Sequence, residues 1–359
     1  PLNSRQQALL PKQIRILSHY LTDERNDRWL GYMNQTTTLS AYVHYYLWWN
    51  LVRLTRLFAN LPSDFFKLNK DDICLDLGSG PLTVPIALLL SRPELRNVPL
   101  TWYCLDISGQ SMQFGHDIFL SIAARLKCEP WNIVKVRASF GEKIKEKATL
   151  VTCANMFNET NDDYSLSAQE NAKKFTEQLL YYTDLKNKGS RFLIIEPGVP
   201  KCGKFISLLR ESFISKSFIP VSPCTHCLEC PMNGEDKGRG GKWCNYVFTT
   251  EDVPKRLLKL SEQANLTKER AVLSFVALAC SPLSNQMSDE KEELLTFRIA
   301  SDPIRLPGDR TGYYACSAMG LLLVITNTPL HSGESFSVRM PKHPLNTDRK
   351  SGAYILNLD

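Results

Sequence analysis

The sequence predicts an α/β fold in which a mostly parallel, doubly wound sheet carries helices on both faces. Seven short apolar runs beginning at Asp72 have the length of strands: ICLDLG, LTWYCLD, IVKVRAS, TLVTCAN, RFLIIEPG, IPVSP and AVLSFVALA. Helical patterns lie between these runs, at residues 82–90, 110–126, 168–183 and 204–217. Strands that alternate with helices favour right-handed crossovers and a parallel sheet.

Two further regions flank this core. Residues 13–61 repeat aromatic and aliphatic side chains at three- and four-residue spacing, which predicts amphipathic helices. The aromatic run from Tyr42 to Trp49 either packs as a helix on the main domain or offers a stacking surface for nucleic-acid bases. The sequence after Pro303 is turn-rich and β-like. We therefore predict a helical region at 1–66, a core at 67–300 with a cysteine-rich insertion at 221–250, and a small β appendage at 301–359.

Composition restricts the class of protein. Of 359 residues, 43% are hydrophobic and 22% are charged, which is typical of a soluble globular chain. The longest apolar stretch, residues 81–90, is far shorter than the roughly 20 residues of a membrane-spanning helix, so we expect no membrane partner. The net charge of +6 fits a polyanion partner such as RNA. Nothing in the sequence indicates oligomerisation.

The cysteines and the amino terminus bear on the compartment. Several of the eleven cysteines lie in apolar strand-like runs, where a reduced thiol acts as a small hydrophobic side chain. This usage suits a reducing, intracellular compartment. The first residues, PLNSRQQALLPKQIRIL, have neither the apolar region of a secretory signal nor the pattern of a mitochondrial import signal. We expect the bacterial cytoplasm, with the mitochondrial matrix as the alternative.

A glycine motif lies between the first strand and the first helix of the core. Asp76-Leu77-Gly78-Ser79-Gly80-Pro81 has the placement of a nucleoside-binding turn, and Asp106 ends the next strand, where its carboxylate can accept hydrogen bonds from ribose hydroxyls. Leu82 replaces the third glycine of the dinucleotide-binding pattern. The motif resembles the D-x-G-x-G signature of class I methyltransferases, which implies a Rossmann-like sheet and S-adenosylmethionine held by Asp76, Gly78, Gly80 and Asp106. Alternatively, the glycines only form a tight turn and Asp106 only caps a helix near Ser108.

The catalytic residue is unknown from the sequence. Base-methylating enzymes often carry Asn/Asp-Pro-Pro-Tyr after the fourth strand, whereas this chain has Asn155-Met156-Phe157-Asn158. After the third strand, where an acid often lies near the adenine amino group, the chain has Arg137-Ala138-Ser139-Phe140. If methyl transfer occurs, Asn155 or Glu159 is the candidate near the acceptor.

Four cysteines follow the sixth strand-like run with C-x2-C-x2-C-x13-C spacing: Cys224, Cys227, Cys230 and Cys244. Thiolates suit zinc or iron-sulfur chemistry, and metal binding would order a segment that has no hydrophobic core. Free surface thiols are one alternative. A nucleophilic Cys224, which adds to C6 of a pyrimidine before C5 methylation, is another.

The cysteine insertion and its surroundings carry a family resemblance. Ile195-Glu196-Pro197-Gly198, then Pro223-Cys224-x5-Cys230-Pro231-Met232 and Trp243-Cys244-Asn245-Tyr246, resemble the methyltransferase-like assembly factors of the mitochondrial small ribosomal subunit and their bacterial relatives. The resemblance is good over residues 72–279 and weaker over the helical start and the β end. It implies a four-iron four-sulfur cluster held by three insertion cysteines and one cysteine of the β segment TGYYACSAMG. The matching residues are Cys224, Cys230, Cys244 and Cys316. A local zinc site of Cys224, Cys227, Cys230 and Cys244 is the rival.

The resemblance also implies partners. They are small-subunit ribosomal RNA (rRNA) and the pre-ribosomal particle, which the protein would bind as an assembly or translation factor. The basic loop at residues 237–242 could contact phosphates. An active S-adenosylmethionine-dependent rRNA methyltransferase with a structural zinc or iron-sulfur site is the alternative function. A redox sensor that controls assembly through a labile cluster is a third.

Overall fold

The structure of the protein, a computed structural model, describes residues 2–22, 32–159, 165–235, 241–281 and 294–358. The chain divides into two compact units. The first unit contains residues 1–62, 66–161 and 248–271, and the second contains residues 63–65, 162–247 and 272–359. The boundaries expected at 66 and 300 stay predictions.

The helices and strands of the described residues are numbered in chain order. The α-helices are α1 (Ser4–Thr22), α2 (Thr36–Ala41), α3 (Leu47–Asn60), α4 (Thr83–Ser91), α5 (Gly109–Leu126), α6 (Ala168–Tyr181), α7 (Pro200–Ser215) and α8 (Lys255–Gln263). The strands are β1 (Ile73–Leu77), β2 (Thr101–Asp106), β3 (Asn132–Arg137), β4 (Leu150–Ala154), β5 (Arg191–Pro197), β6 (Ile219–Ser222), β7 (Tyr246–Thr249), β8 (Arg270–Ala279), β9 (Leu294–Ile299), β10 (Ile304–Arg305), β11 (Thr311–Ser317), β12 (Gly320–Thr326), β13 (Ser335–Arg339) and β14 (Tyr354–Asn357).

Four parallel strands form the sheet of the first unit, in the order β3-β2-β1-β4. Ile73 pairs with Thr101 on one side of β1, and Cys74 pairs with Leu150 on the other side. Four of the five residues of β1 are buried, as expected for a central parallel strand with both faces covered. The helices α4 and α5 connect β1 to β2 and β2 to β3, as the sequence predicts.

The amino-terminal helices of the first unit pack around their own apolar core. A π-helical segment, Tyr42–Tyr46, joins α2 to α3. Tyr45 and Trp49 are 0% and 1% exposed and pack with Ile14 of α1 and Leu257 of α8. The Trp49 indole Nε1 donates a hydrogen bond to the Ser261 hydroxyl at 3.2 Å. Tyr45 and Trp49 are therefore packed helix residues, and the alternative that they stack on bases is wrong for these two side chains.

The second unit begins with an antiparallel set of strands. β8 lies between β5 and β6 and runs antiparallel to both. Phe192 of β5 packs against Phe213 of α7, with ring centroids 4.6 Å apart. A capping box starts α6, since the Ser167 hydroxyl and the Glu170 carboxylate each accept a backbone N–H of the other residue.

A second sheet follows in the same unit, in the order β13-β9-β11-β12-β14, with β10 paired to β11. Its buried core includes Leu295, Phe297, Tyr313, Val324 and Leu356. Alternate residues of β9 are buried, which is the period of a strand with one covered face. The β segment expected after Pro303 is therefore present, and its sheet also includes β9, which precedes the predicted boundary at 301.

These strand orders are those of a class I methyltransferase, whose sheet has the parallel order 3-2-1-4 in one half and a single antiparallel strand between strands 5 and 6 in the other half. The predicted Rossmann-like fold is confirmed. The sequence does not predict β7 or α8. Among the residues described, none of the helices combines the length and the apolar character needed to cross a membrane.

Candidate cofactor and cluster sites

The glycine turn (residues 76–81) connects β1 to α4 in the first unit. Gly78 and Gly80 have φ of +66° and +50°, a left-handed conformation that glycine adopts without strain. A Cβ on Gly80 would meet no atom within 4 Å, whereas a Cβ on Gly78 would lie 2.8 Å from Cγ of Met156. The space beside Gly80 is therefore open, and the space beside Gly78 is filled by the residue that follows Asn155.

Asp106 holds the glycine turn to the end of β2. Its Oδ2 accepts the Gly80 backbone N–H at 2.8 Å, and its Oδ1 accepts the Ser108 backbone N–H at 2.8 Å. Burial raises the pKa of Asp106, and these two N–H donors oppose that rise. The cap of α5 is the Ser108 hydroxyl, which accepts the Ser111 N–H at 3.2 Å. The residue that caps α5 is therefore Ser108 and not Asp106. Each oxygen of Asp106 keeps a further lone pair that can accept another hydrogen bond.

Asp76 is turned into the sheet. Its side chain is buried, and Oδ1 accepts the Thr152 hydroxyl of β4 at 2.7 Å. Oδ2 is buried without a hydrogen-bond partner in the described part of the chain. Burial raises the pKa of Asp76 to about 7, against the hydrogen bond from Thr152, which lowers it. Because its backbone oxygen also accepts the Ser79 hydroxyl at 2.8 Å, Asp76 supports the turn from within.

Two residues that the sequence analysis missed also surround this turn. Gly115 of α5 lies against the turn, because a Cβ there would be 2.2 Å from the carbonyl carbon of Pro81. A glycine inside an apolar helix pattern is the signal that could have indicated this close approach. Burial, followed by the charges of Glu159 and Asp106, raises the pKa of Tyr42, so the aromatic ring lies near both carboxylates. No pattern in the sequence connects Tyr42 with them.

Four of the five candidate ligand cysteines share one region of the second unit. Cys230 and Cys316 are buried in one apolar cluster with Met232, and Cys244 packs against it. Burial, followed by the charges of Cys224, Cys230 and Cys244, raises the pKa of Cys316. Cys316 is thus brought to the three insertion cysteines from a distant strand.

Cys227 and Cys224 differ in their surroundings. Cys227 is exposed. Cys224 follows β6, and burial raises the pKa of its thiol to about 11, while Arg210 acts in the opposite direction. All eleven cysteines lie in the described ranges, and none of them forms a disulfide bond.

Hydrogen bonds from the core hold the insertion, whose described residues, 221–235 and 241–250, form no helix. The Ser274 hydroxyl donates to the Cys244 carbonyl at 2.7 Å, and the Cys244 N–H donates to the Met232 carbonyl at 3.2 Å. The Trp243 indole donates to the Gly198 carbonyl at 3.0 Å. The ends of the insertion are therefore positioned by β8 and by the turn after β5.

Two arginines border the thiols. Arg210 of α7, which is 2% exposed, donates from Nε to Cys224 Sγ at 3.1 Å and from Nη2 to the His226 carbonyl at 2.6 Å. Arg298 of β9 donates to the Pro223 carbonyl at 2.5 Å. The sequence analysis missed both arginines, because the helix and the strand that contain them have the apolar pattern of ordinary core elements.

The types of side chain present at this site are those that bind iron-sulfur clusters. Four thiols, a largely dry surrounding and nearby N–H donors are what such clusters use. Within the described ranges, no group of three or more His, Cys, Asp or Glu side chains has the arrangement that would hold a metal ion. The assignment of Cys224, Cys230, Cys244 and Cys316 as ligands therefore stays a prediction, as does the zinc alternative through Cys227.

The remaining sequence candidates are placed as follows. Asn155 ends β4 in a left-handed conformation, with φ of +58°. Residues 236–240 of the basic loop lie outside the described residues. Lys242 is described, and its ammonium lies 4.9 Å from the centroid of the Tyr314 ring.

The fold and the glycine turn define a protein of the class I methyltransferase fold. The chain belongs to the Rsm22 family, described as mitochondrial small ribosomal subunit Rsm22, whose family model matches residues 72–303. The resemblance found in the sequence is confirmed. The family description names mitochondria, which agrees with the mitochondrial alternative and gives no support to the bacterial cytoplasm.

Solved methyltransferases are similar to this chain at low identity. Magnesium protoporphyrin IX methyltransferase from Synechocystis, with bound S-adenosylmethionine, is 11% identical over 75% of this chain and 97% of its own, with a TM-score of 0.37. Precorrin-6y C5,15-methyltransferase from Geobacter metallireducens is 11% identical over 64% of this chain and 87% of its own, with a TM-score of 0.37. A methyltransferase from Pyrococcus furiosus is 10% identical over 65% and 83%, with a TM-score of 0.35. No curated protein matches the chain in sequence.

Proposed function

We propose that this protein is an assembly or translation factor of the mitochondrial small ribosomal subunit, which binds rRNA and holds a four-iron four-sulfur cluster through Cys224, Cys230, Cys244 and Cys316. The observation that carries the proposal is the convergence of Cys316, from β11, with the three insertion cysteines. Membership of the Rsm22 family supports the ribosomal part.

The role of the cluster is structural. When bound, it supplies metal–thiolate bonds that link the insertion to β11. The chain itself contributes a dry surrounding from Met232 and Ala300, and it contributes N–H donors from Arg210. The described residues of the insertion form no helix and no apolar core of their own, so the metal–thiolate bonds would give the segment a fixed shape.

Limited proteolysis tests the structural role. Full-length protein is reconstituted anaerobically with iron and sulfide, or left without metal, and then digested. We expect the metal to protect the insertion in the wild type and in Cys227→Ser, whose exposed thiol is spared as a ligand. We expect no protection in Cys316→Ser. Protection that is lost in Cys227→Ser and retained in Cys316→Ser would support the local set of Cys224, Cys227, Cys230 and Cys244 and overturn the proposed ligands.

The RNA part has its own test. Basic side chains bind phosphates, and the logarithm of the binding constant falls linearly with the logarithm of the salt concentration. We expect the full chain to bind small-subunit rRNA with a negative salt slope and to co-sediment with immature small subunits from mitochondria. Binding of equal strength to large-subunit rRNA would contradict the proposed partner.

An active S-adenosylmethionine-dependent rRNA methyltransferase is the second candidate function. The open space beside Gly80 and the Asp106 carboxylate that holds the turn favour a bound nucleoside. When bound, S-adenosylmethionine supplies an electrophilic methyl group. Asp106 would bind the ribose, and Asn155 or Glu159 would lie near the acceptor. The Met156 side chain against Gly78 and the absent Pro-Pro pair oppose this candidate.

Calorimetric titration with S-adenosylmethionine and a radiolabelled methyl-transfer assay separate binding from activity. Gly80→Val places a side chain in the open space and should abolish binding, while Asp117→Asn, an exposed change on α5, should leave it unchanged. Binding without methyl transfer to immature small-subunit RNA would support the assembly factor. Robust turnover on that RNA would establish the enzyme instead.

A further inference from the structure

Among the residues that the structure describes, no carboxylate forms an ion pair with the buried guanidinium of Arg210. Its hydrogen-bond partners in the described part of the chain are Cys224 Sγ, at 3.1 Å from Nε, and the His226 carbonyl, at 2.6 Å from Nη2. The third nitrogen, Nη1, is buried and has no hydrogen-bond partner there. A buried charge and an unmade hydrogen bond are each costly unless something compensates them. The side chain therefore indicates an anionic group beside the thiols.

A second cation approaches from the other sheet of the unit. Arg298 of β9 and Cys316 of β11 are directly paired residues of neighbouring strands, so both side chains project from the same face of that sheet. The Arg298 guanidinium donates to the carbonyls of Pro223, at 2.5 Å, and Gly333, at 2.6 Å. Arg298 thus links Pro223, the residue before Cys224, to β9, the strand that pairs with β11 at Cys316.

The charges around a cluster determine which of its oxidation states is stabilised. A four-iron four-sulfur core bound by four thiolates carries a net charge of about −2 when oxidised, and one more negative charge when reduced. Two guanidinium groups balance the oxidised charge. Because a nearby positive charge and an N–H donor to sulfur both favour the more negative state, they raise the reduction potential.

We propose that Arg210 is a positioning residue that sets the reduction potential of the cluster and slows its release. This inference rests on the proposed cluster at Cys224, Cys230, Cys244 and Cys316. Arg210 fixes the Cys224 sulfur through Nε–H, and its buried Nη1–H is the donor that remains for the cluster. Arg298 holds the peptide before Cys224 and supplies the second positive charge.

Substitution of Arg210 in the full-length chain tests this role. Arg210→Met keeps an apolar stem but removes the charge and every donor, whereas Arg210→Lys keeps the charge and loses the planar fork. Arg305→Met is the control, because Arg305 is exposed on β10 and pairs only with Asp309 in the described structure. The readouts are the midpoint potential, from an anaerobic spectroscopic titration, and the half-life of the cluster in excess chelator.

We expect Arg210→Met to reduce the ratio of reduced to oxidised cluster at a fixed potential by about tenfold, a shift of about 59 mV to more negative potential for a one-electron couple. The half-life in chelator should fall at least severalfold. Arg210→Lys should show a smaller shift, and Arg305→Met should show none. A structural role alone would lower cluster content without moving the potential of the molecules that remain loaded.

The outcomes separate this inference from the proposed function. If the wild type takes up no iron or sulfide on reconstitution, the cluster itself is wrong. If the wild type is loaded and both Arg210 variants keep its potential and its half-life, the cluster stands and the role of Arg210 is refuted. If Arg210→Met does not fold, judged by far-ultraviolet circular dichroism, Arg210→Lys and Arg298→Lys decide by the same two readouts.

Discussion

Replacing Asp76 by asparagine should stabilise the protein at neutral and alkaline pH. The Asp76 carboxyl is buried, and its Oδ1 accepts the Thr152 hydroxyl of β4 at 2.7 Å. Its pKa rises from 3.8 to about 7 on burial. A raised carboxyl pKa means that the folded state binds the proton more tightly than the unfolded state, so the contribution of Asp76 to stability is greatest below pH 4 and is lost as pH rises through 7.

The size of this effect follows from the shift. About three pKa units at 1.36 kcal/mol each correspond to about 4 kcal/mol of lost stability above pH 7, of which roughly 2.5 kcal/mol is lost between pH 5 and 8. Asparagine has no proton to lose, and its Oδ1 can keep the bond from Thr152. Its amide N–H has no partner in place of Oδ2, which costs about 1 to 3 kcal/mol at every pH. The net gain at pH 8 should therefore be about 1 to 3 kcal/mol.

Urea unfolding from pH 5 to 9, followed by tryptophan fluorescence, measures the difference. The wild type should lose stability between pH 5 and 7.5 relative to Asp76→Asn, and the two curves should run parallel above that range. Thr152→Val, which removes the hydroxyl donor to Oδ1, should steepen the loss, and the exposed Asp117→Asn should follow the wild type. Parallel curves for the wild type and Asp76→Asn over the whole range would refute the reasoning.

Three further substitutions test packing around the sites. Gly115→Ala should cost about 3 kcal/mol because its Cβ would overlap the backbone of the glycine turn, whereas Gly109→Ala in the same helix should be nearly neutral in urea unfolding. Gly78→Ala should cost about 1 to 2 kcal/mol, since φ is left-handed and the Met156 side chain must move. Ser167→Ala should cost about 1 kcal/mol by removing a helix cap, with amide exchange rising in the first turn of α6. Unchanged stability in any of the three would contradict the stated contact.

The fold could be predicted because strand and helix periods are local. Each apolar run from β1 to β5 is flanked by residues that end strands, and the intervening helices have one apolar face or, in α4, are buried all round. The short β7 was missed because a four-residue strand beside the insertion has no distinct period. A strand of that length is specified by its pairing with β8, which is a tertiary property. The strongly amphipathic α8 was also missed, although its apolar residues have the period of a helix.

The candidate sites were predictable in part for the same reason. Gly78 and Gly80 follow β1 and Asp106 ends β2, and neighbouring parallel strands end at the same edge of a sheet, so the proximity of these residues follows from the topology. The place of Cys316 beside the insertion came from the family resemblance, because residues so far apart in sequence carry no spacing signal. The sequence did not predict the site contacts of Arg210, Tyr42 and Gly115. No local pattern distinguishes a buried arginine, tyrosine or glycine that contacts a distant segment.

The most direct test of the central claim is iron, sulfide and zinc analysis of protein purified without oxygen, for the wild type, Cys316→Ser and Cys227→Ser. The account predicts about four irons and four sulfides in the wild type and in Cys227→Ser, with broad visible absorption, and loss of both in Cys316→Ser. One zinc per chain, retained in Cys316→Ser and lost in Cys227→Ser, would contradict it and establish a local zinc site instead.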